Sequence, residues 1–440
     1  MNIRPSACAL SPLMLFLVLF FGAGLYYTAQ GVPMAFYQLR APVAILPAVV
    51  LGLWFARRRG LQAQDTLLKG IADPDIVLMC LIFLLAGAFA MVTNKIGAVD
   101  AVVALGIGSL PPMLILPGVF LLAGFLSLSV GSSMGTIAAI TPIALGVADA
   151  SGLDRALVVG AVIGGATFGD NLSLISDTAI AAARTQGCTV REKFRENVRI
   201  ALPAALLTLV VLAFTGEAAP VESADPVSAW LIVPYLVVLA LALFGVDVLA
   251  VLGIGVVTAA LFGAGFAQHG YGAAEFAGDI YAGFEGVFEI MLLALLVGGL
   301  GALIKAGGGL AWLAQAISRI ARGNDGQRTG EWSIAVLASV TDVFTANNTV
   351  AILVSGGLAR DIAQRHGVPR ARAASVLDIF VCSVQSLLPY GAQILLAASL
   401  ATLSPLALIG KAHYCWALIG ITVVFMLWPS RKSAAAGSVA

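Results

Sequence analysis

Charge is what this sequence has least of. Aspartate, glutamate, lysine and arginine supply 11% of its 440 residues, whereas a soluble domain carries roughly a quarter. So few charges cannot coat the surface of a soluble chain of this length, and a soluble globular protein is excluded. Paired cysteines are missing as well. Cys8, Cys80, Cys188, Cys382 and Cys415 stand far apart with no disulfide-type or metal-binding spacing. Cys80, Cys382 and Cys415 lie inside apolar runs, so all five read as small hydrophobic residues. The histidines His269, His366 and His413 fall in or beside predicted loops or at a span end, which gives a metal site no basis. No basic block exceeds Arg57-Arg58-Arg59, so nucleic-acid binding has no support. No Walker-type lysine motif follows the pair Gly298-Gly299, which reads as helix packing.

What is present is hydrophobic. Apolar residues make up 60% of the chain, and the mean hydropathy is +1.00. Apolar stretches of roughly 17 to 25 residues recur from end to end, the length a helix needs to cross ~30 Å of hydrocarbon. Lipid demands that backbone groups be satisfied internally, and these runs are too long and uniformly apolar for barrel strands. An all-α polytopic membrane protein is expected, with about 10 to 14 spans. The first, Pro12 to Val32, is longer than a signal-peptide core and lacks a small-x-small cleavage site, so we expect it to be retained.

Positive residues orient such a chain, because they concentrate on the cytoplasmic side of short loops. Arg57 to Lys69, Arg184 to Arg199, Lys305 to Arg328 and Arg360 to Arg372 are placed inside. The acidic segments Glu217 to Asp225 and Glu275 to Glu285 are placed outside. Three crossings then lie between Arg199 and Glu285, near 199–216, 227–244 and 247–264. The Arg184 to Arg199 stretch reads as a solvated or headgroup-binding surface helix. The expected location is a bacterial inner membrane, with both termini cytoplasmic.

Two segments of about 115 residues resemble one another, roughly 70–186 and 283–400. Each opens on an apolar span ending in lysine and glycine, at Lys95-Ile96-Gly97 and Lys305-Ala306-Gly307. A small, polar break follows, Gly131-Ser132-Ser133-Met134-Gly135-Thr136 in the first and Thr345-Ala346-Asn347-Asn348-Thr349 in the second. Each then has a charged turn, Gly152-Leu153-Asp154-Arg155 against Gly367-Val368-Pro369-Arg370. A second break closes each, Gly169-Asp170-Asn171-Leu172-Ser173-Leu174 against Val384-Gln385-Ser386-Leu387-Leu388-Pro389. Three intervening spans give the halves opposite orientations, the inverted repeat of secondary transporters. The chain therefore divides into N-terminal spans (1–69), a first inverted repeat (70–186), connecting spans (187–282), a second inverted repeat (283–400) and a C-terminal span with its tail (401–440).

Polar, glycine-rich backbone at membrane depth is tolerated only in buried protein or against a wet cavity. Unwinding there frees carbonyl oxygens that replace the hydration shell of a hard cation such as sodium. Ser132, Ser133, Thr136, Asn171, Ser173, Asn347, Asn348, Thr349 and Gln385 are the candidate ligands beside the breaks. Acids within spans sharpen the choice, since a charge at the helix centre costs at least ~2.5 kcal/mol and marks an ion or proton path. Asp170 and Asp177 lie seven residues apart, on one face if the helix continued. Asp342 precedes the second-half break, and Asp378 lies in a long span, where Arg372 is a candidate partner. A buried carboxylate that binds either a proton or sodium is a sufficient exchange mechanism. Helix capping is the plainer role for Asp170 and Asp177. Small-residue packing is the plainer role for the Gly131 to Thr136 break.

The run Gly164-Gly165-Ala166-Thr167-Phe168-Gly169-Asp170-Asn171-Leu172-Ser173-Leu174-Ile175-Ser176-Asp177-Thr178 resembles the signature of the NhaC family of sodium/proton antiporters. The Gly131 to Thr136 break is similar to that family's Gly-Thr-Ser-type segment. This resemblance covers roughly residues 70–400. It implies the ion-transporter fold, in which inverted repeats pair re-entrant hairpins with broken helices. One departure is Leu174, where the family commonly has proline after the serine; Pro389 keeps it in the second half. Related families look like exchangers or symporters of organic and amino acids.

Together these readings predict a secondary active transporter and not an enzyme or channel. Sodium/proton exchange is the first expectation, with Asp170 and Asn171 holding sodium and no cofactor besides that ion. Coupled transport of an amino acid or small carboxylate is the alternative. The expected partners are sodium, protons, the lipid bilayer and, in the alternative, an organic solute; a homodimer fits either reading.

Overall fold

The computed structural model describes residues 5–32, 38–102, 111–216, 228–267, 270–321 and 326–427. The acidic segment Glu217 to Asp225 and His269 lie outside these residues. Among the described residues the regular elements are helices, with no strand. Branched and straight-chain apolar residues fill them, and most of their stability comes from packing rather than propensity.

The N-terminal part holds α1 (Ser11–Ala29), α2 (Ala41–Ala44), α3 (Leu46–Arg58) and α4 (Ala63–Ile71). A first half follows with α5 (Pro74–Lys95), α6 (Ala98–Val102), α7 (Ile115–Val130), α8 (Ser133–Ser151), α9 (Arg155–Leu172) and α10 (Asp177–Gln186). Three helices connect onward, α11 (Val190–Thr215), α12 (Val233–Leu243) and α13 (Val248–Phe266). The second half comprises α14 (Ala273–Ala306), α15 (Gly309–Ala321), α16 (Gln327–Thr345), α17 (Asn348–His366), α18 (Arg370–Gln385) and α19 (Ala392–Ala401). The described chain ends with α20 (Pro405–Ile409) and α21 (His413–Leu427).

Among the described residues, seven helices are long and apolar enough to cross a bilayer: Ala7–Tyr27, Ala41–Arg58, Pro74–Lys95, Ser133–Ser151, Val190–Thr215, Val248–Phe266 and Ala273–Ala306. The pair α9 and α10 passes the same test as one span bent by 41° at its break. Shorter apolar helices include α7, α19 and α21. The chain is a multi-pass helical membrane protein. The connecting helices α11 and α13 fall where the sequence predicted crossings and are long enough to span; α12 falls at the third but, at 11 residues, is shorter than a span.

One expectation fails here. The Arg184 to Arg199 stretch is no separate surface helix: α10 ends and turns at Gly187, and residues from Val190 open the 26-residue α11. Thr189 and Glu192 cap α11 reciprocally, which lets a charged segment begin a membrane-length helix. Its exposed charges point away from the protein, while Lys193 and Asn197 on its other face are buried.

Small residues set how closely the helices cross. At Gly87 and Gly283, α5 meets α14 backbone to backbone, and a Cβ at either would collide with the other's main chain. Gly70 on α4 meets Gly298 and Gly299 the same way, so that glycine pair serves packing, as expected. Gly165 and Gly169 bring α9 against Phe120, Gly124 and Leu128 of α7.

Local geometry recurs between the halves. Left-handed backbone ends α7, α8 and α10 at Gly131, Gly152 and Gly187; it recurs 215 residues on at Ala346, Gly367 and Thr402, ending α16, α17 and α19. Ser132 and Asn347 then adopt almost the same conformation, φ −145° and ψ 116° against φ −147° and ψ 114°, and each caps the next helix with its side chain. Packing is reciprocal too: α10 lies against α17 while α19 lies against α8, and α11 and α21 both flank α9 and α18.

Candidate ion-binding site

The centre is built at the end of α9. Regular helix stops at Leu172, and Ser173 is extended, so the last carbonyls of α9 lack intrahelical partners. Asp170 sits in that final turn and is buried. Ser176 occupies the cap position of α10 but its side chain makes no capping bond. Its hydroxyl instead donates to Asp170 Oδ1 at 2.6 Å and lies 2.8 Å from Thr178 Oγ1. From the other break, the Ser133 hydroxyl also meets the Asp170 carboxylate. Gln393 of α19 reaches Ser133 Oγ at 3.5 Å. Both first-half breaks therefore converge on one acid.

A buried ion pair stands beside it. Lys193 Nζ lies 2.6 Å from Asp378 Oδ2, and the two side chains are 1% and 0% exposed. Lys193 also donates to the Asn171 carbonyl at 3.3 Å, which Asn197 Nδ2 reaches at 2.8 Å. A cation and an amide donor at the C-terminus of α9 match the negative end of its dipole. Asn197 Nδ2 also lies 3.3 Å from Asp378 Oδ2, and its Oδ1 accepts from Ser375 at 2.6 Å. Cys382 Sγ lies 3.8 Å from Asp378 Oδ1. With Asp378 matched by Lys193, an ionised Asp170 leaves one uncompensated negative charge, balanced by a single proton or monovalent cation.

The alternative in which Asp378 pairs with Arg372 does not hold. Arg372 instead forms a two-pronged bond with buried Glu331 of α16, at 3.1 and 2.9 Å. Six residues along a helix turn a side chain about 240° away, so Arg372 and Asp378 point to different neighbours. Asp170 and Asp177 do not share a face either, because the helix breaks between them; Asp177 is exposed. It lies towards Asp75, whose carboxylate meets the Asn347 side chain. Asn347 and Thr345 line a cavity of about 230 Å³ with Thr66, Lys69, Asp73 and Lys305.

The remaining candidates are engaged locally. Ser132 Oγ accepts from the Gly135 amide, and Asn347 Oδ1 accepts from that of Val350, as helix caps. Thr136 donates to the Ser132 carbonyl, and Ser173 to that of Leu128. Asn348 Oδ1 accepts from the Thr349 amide. Thr349 is half-buried at the start of α17. Gln385 Nε2 donates to the Ala346 carbonyl at 2.9 Å, which ties α18 to the second-half break. Asn171 is buried with its side chain towards that of Tyr414. Asp342 is fully buried with both carboxylate oxygens unpartnered.

Sequence reasoning missed Lys193, Asn197, Ser176 and Gln393. A signal for the first two existed: positions 193, 197, 200, 201, 204 and 208 are the buried stripe of α11, at helical spacing. A separate cavity of about 330 Å³ lies between α1, α14 and α19, lined by Phe16, Phe20, Glu289, Pro389, Tyr390 and Ser399 among others. Arg40 lies 3.4 Å from Glu289.

Fold and site together define a polytopic helical membrane protein with ionisable groups buried among its helices. Residues 40–217 match the model of the Na+/H+ antiporter family. The chain is 29% identical to the Na(+)/H(+) antiporter NhaC of Bacillus subtilis over 222 residues, 46% of this chain and 48% of that protein. It is 25% identical to the NhaC antiporter of Alkalihalophilus pseudofirmus over 349 residues, covering 70% and 73%. With the arginine/ornithine antiporter ArcD of Halobacterium salinarum it shares 24% identity over 354 residues, 71% of each. Over residues 40–217 the chain thus resembles the sodium/proton antiporter family, with NhaC proteins among the relatives it matches. The alignment with the Bacillus subtilis protein spans only about half of that relative's length.

Proposed function

We propose that this protein is a sodium/proton antiporter in which the two ions compete for Asp170. The observation that carries this reading is the charge balance at the α9 break. Asp378 has its own counter-ion in Lys193, so among the described residues Asp170 is the one buried carboxylate at that break left to a mobile cation. Hydroxyls of Ser133, Ser176 and Thr178, with the Asn171 amide, offer the hard oxygen donors that sodium prefers. A proton needs only one carboxylate oxygen. Ser176 donates to Asp170 when the acid is ionised and accepts from it when protonated, so both forms are accommodated. The match of residues 40–217 to the Na+/H+ antiporter family and the NhaC relatives agree with this reading.

The two halves, 70–186 and 283–400, are proposed as inverted repeats that rock about this centre; the recurrent break geometry supports that division. An inner-membrane location with cytoplasmic termini and a homodimeric assembly belong to the same proposal. The test is transport by purified protein in proteoliposomes. A sodium pulse added outside should alkalinise the lumen, as sodium enters and protons leave, and Asp170→Asn should abolish the response. Wild-type protein that takes up sodium without moving protons would sink the reading.

A second reading rests on the cavity beside Pro389 and Tyr390, large enough for an amino acid or small carboxylate. The name of the ArcD relative points the same way. Sodium-dependent uptake of a labelled amino acid, with no proton movement on sodium pulses, would favour it.

A further inference from the structure

Each half of the molecule carries an acid at one break, but not at equivalent positions. In the 215-residue register, Asp170 of α9 corresponds to Gln385 of α18, and Asp342 of α16 corresponds to Ser127 of α7. The two substituted positions are occupied structurally: Ser127 donates to the Ala166 carbonyl at 2.6 Å, and Gln385 donates to that of Ala346. Asp342 has no such role. It is 0% exposed, and neither oxygen has a hydrogen-bond or salt-bridge partner among the described residues.

Its neighbours are spoken for. The titratable group facing it is Tyr390, whose hydroxyl donates to the Val343 carbonyl at 2.8 Å. The Thr345 hydroxyl, on the same helix, donates to the Thr341 carbonyl. The buried charges on the helices around α16 are matched elsewhere, Arg372 with Glu331 and Asp378 with Lys193. An ionised carboxylate without a counter-ion or donors is not sustained in such an interior, whereas the neutral acid is. Sodium would need several oxygen donors arranged around it. A proton needs one.

We propose that Asp342 is a second proton-holding site, separate from the Asp170 centre, so that each half carries its own exchangeable acid. The claim about protonation stands on the geometry alone; its consequence for coupling rests on the antiport reading. Infrared difference spectroscopy of the purified protein, exchanged between H2O and D2O, tests the first. With saturating sodium, which keeps Asp170 ionised, a protonated-carboxyl band should be present at neutral pH in wild type and in Asp170→Asn, and lost in Asp342→Asn. Asp342→Ser, which installs the first half's residue at this position, should lose it too. Either variant retaining the wild-type band, while eluting as a folded species, would overturn the proposal. In proteoliposomes the same two variants should exchange one proton fewer per sodium, read from the sodium gradient that balances an imposed pH gradient. An unchanged ratio with the band lost would overturn the coupling role and leave the protonation intact, and absent exchange in wild type would count against antiport alone.

Discussion

Lys193 is the residue on which the candidate site most depends. It bonds the Asp378 carboxylate and the Asn171 carbonyl, and it is 1% exposed. Replacing it with alanine strands a buried charge, a change that costs about 3–5 kcal/mol. Lys193→Ala should therefore lower the thermal midpoint in detergent sharply. The pair Lys193→Met with Asp378→Leu should recover most of the loss, because apolar replacement of both partners removes the stranded charge. Equal midpoints for the single and double variants would contradict this. Asp170 was legible in the sequence because an acid in an apolar run has few other reasons to be there. Lys193 was not. Arg191, Glu192, Arg195, Glu196 and Arg199 surround it, and a charge run reads as solvated unless the helix face is traced. Arg372 is one candidate partner for Asp378 on nearness in sequence, a criterion that ignores helical phase.

The breaks are the decisive elements, and their left-handed residues are not equivalent in cost. Gly131 adopts φ 72° freely, whereas Ala346 adopts φ 48° with a side chain. A left-handed conformation costs an L-residue roughly 1–2 kcal/mol. A Cβ at Gly131 would also lie 2.8 Å from Ile175 Cγ1. Gly131→Ala should thus destabilise by about 1–2 kcal/mol, while Ala346→Gly should be neutral or slightly stabilising. Thermal unfolding of the two variants side by side measures the contrast. Gly169→Leu should be worse than either, since its side chain would enter the backbone of α7 at Gly124 and Leu128; loss of folded protein on size-exclusion chromatography reports it. Break positions were readable from polar, glycine-rich sequence inside apolar runs. The use of each break residue was not, because a serine or asparagine that caps a helix and one that faces an ion look alike in sequence. Ser132 and Asn347 cap, while Ser176 turns to Asp170.

At the scale of the whole molecule, lengths differ more than hydropathy alone suggests. The 34-residue α14 runs about 51 Å at ~1.5 Å per residue. The 16-residue α7 runs about 24 Å and the 15-residue α21 about 22 Å on the same rise. Membrane character and the connecting helices were plain from composition, because transfer of apolar residues dominates. Which helices fall short was not, since flanking loops there are apolar too. These short helices, α7 and α21, both pack on α9, which carries Asp170. Hydrocarbon of ~30 Å is thicker than either, and mismatch is relieved by thinning the bilayer or tilting helices at a modest cost per ångström. Lipid beside α7 is therefore expected to be thinner than the lipid along α14. Reconstituted into phosphatidylcholines of increasing acyl length, the protein should exchange ions fastest in the shorter chains and slow as the hydrocarbon thickens. A rate indifferent to chain length would mean that the surrounding helices, not the lipid, absorb the mismatch.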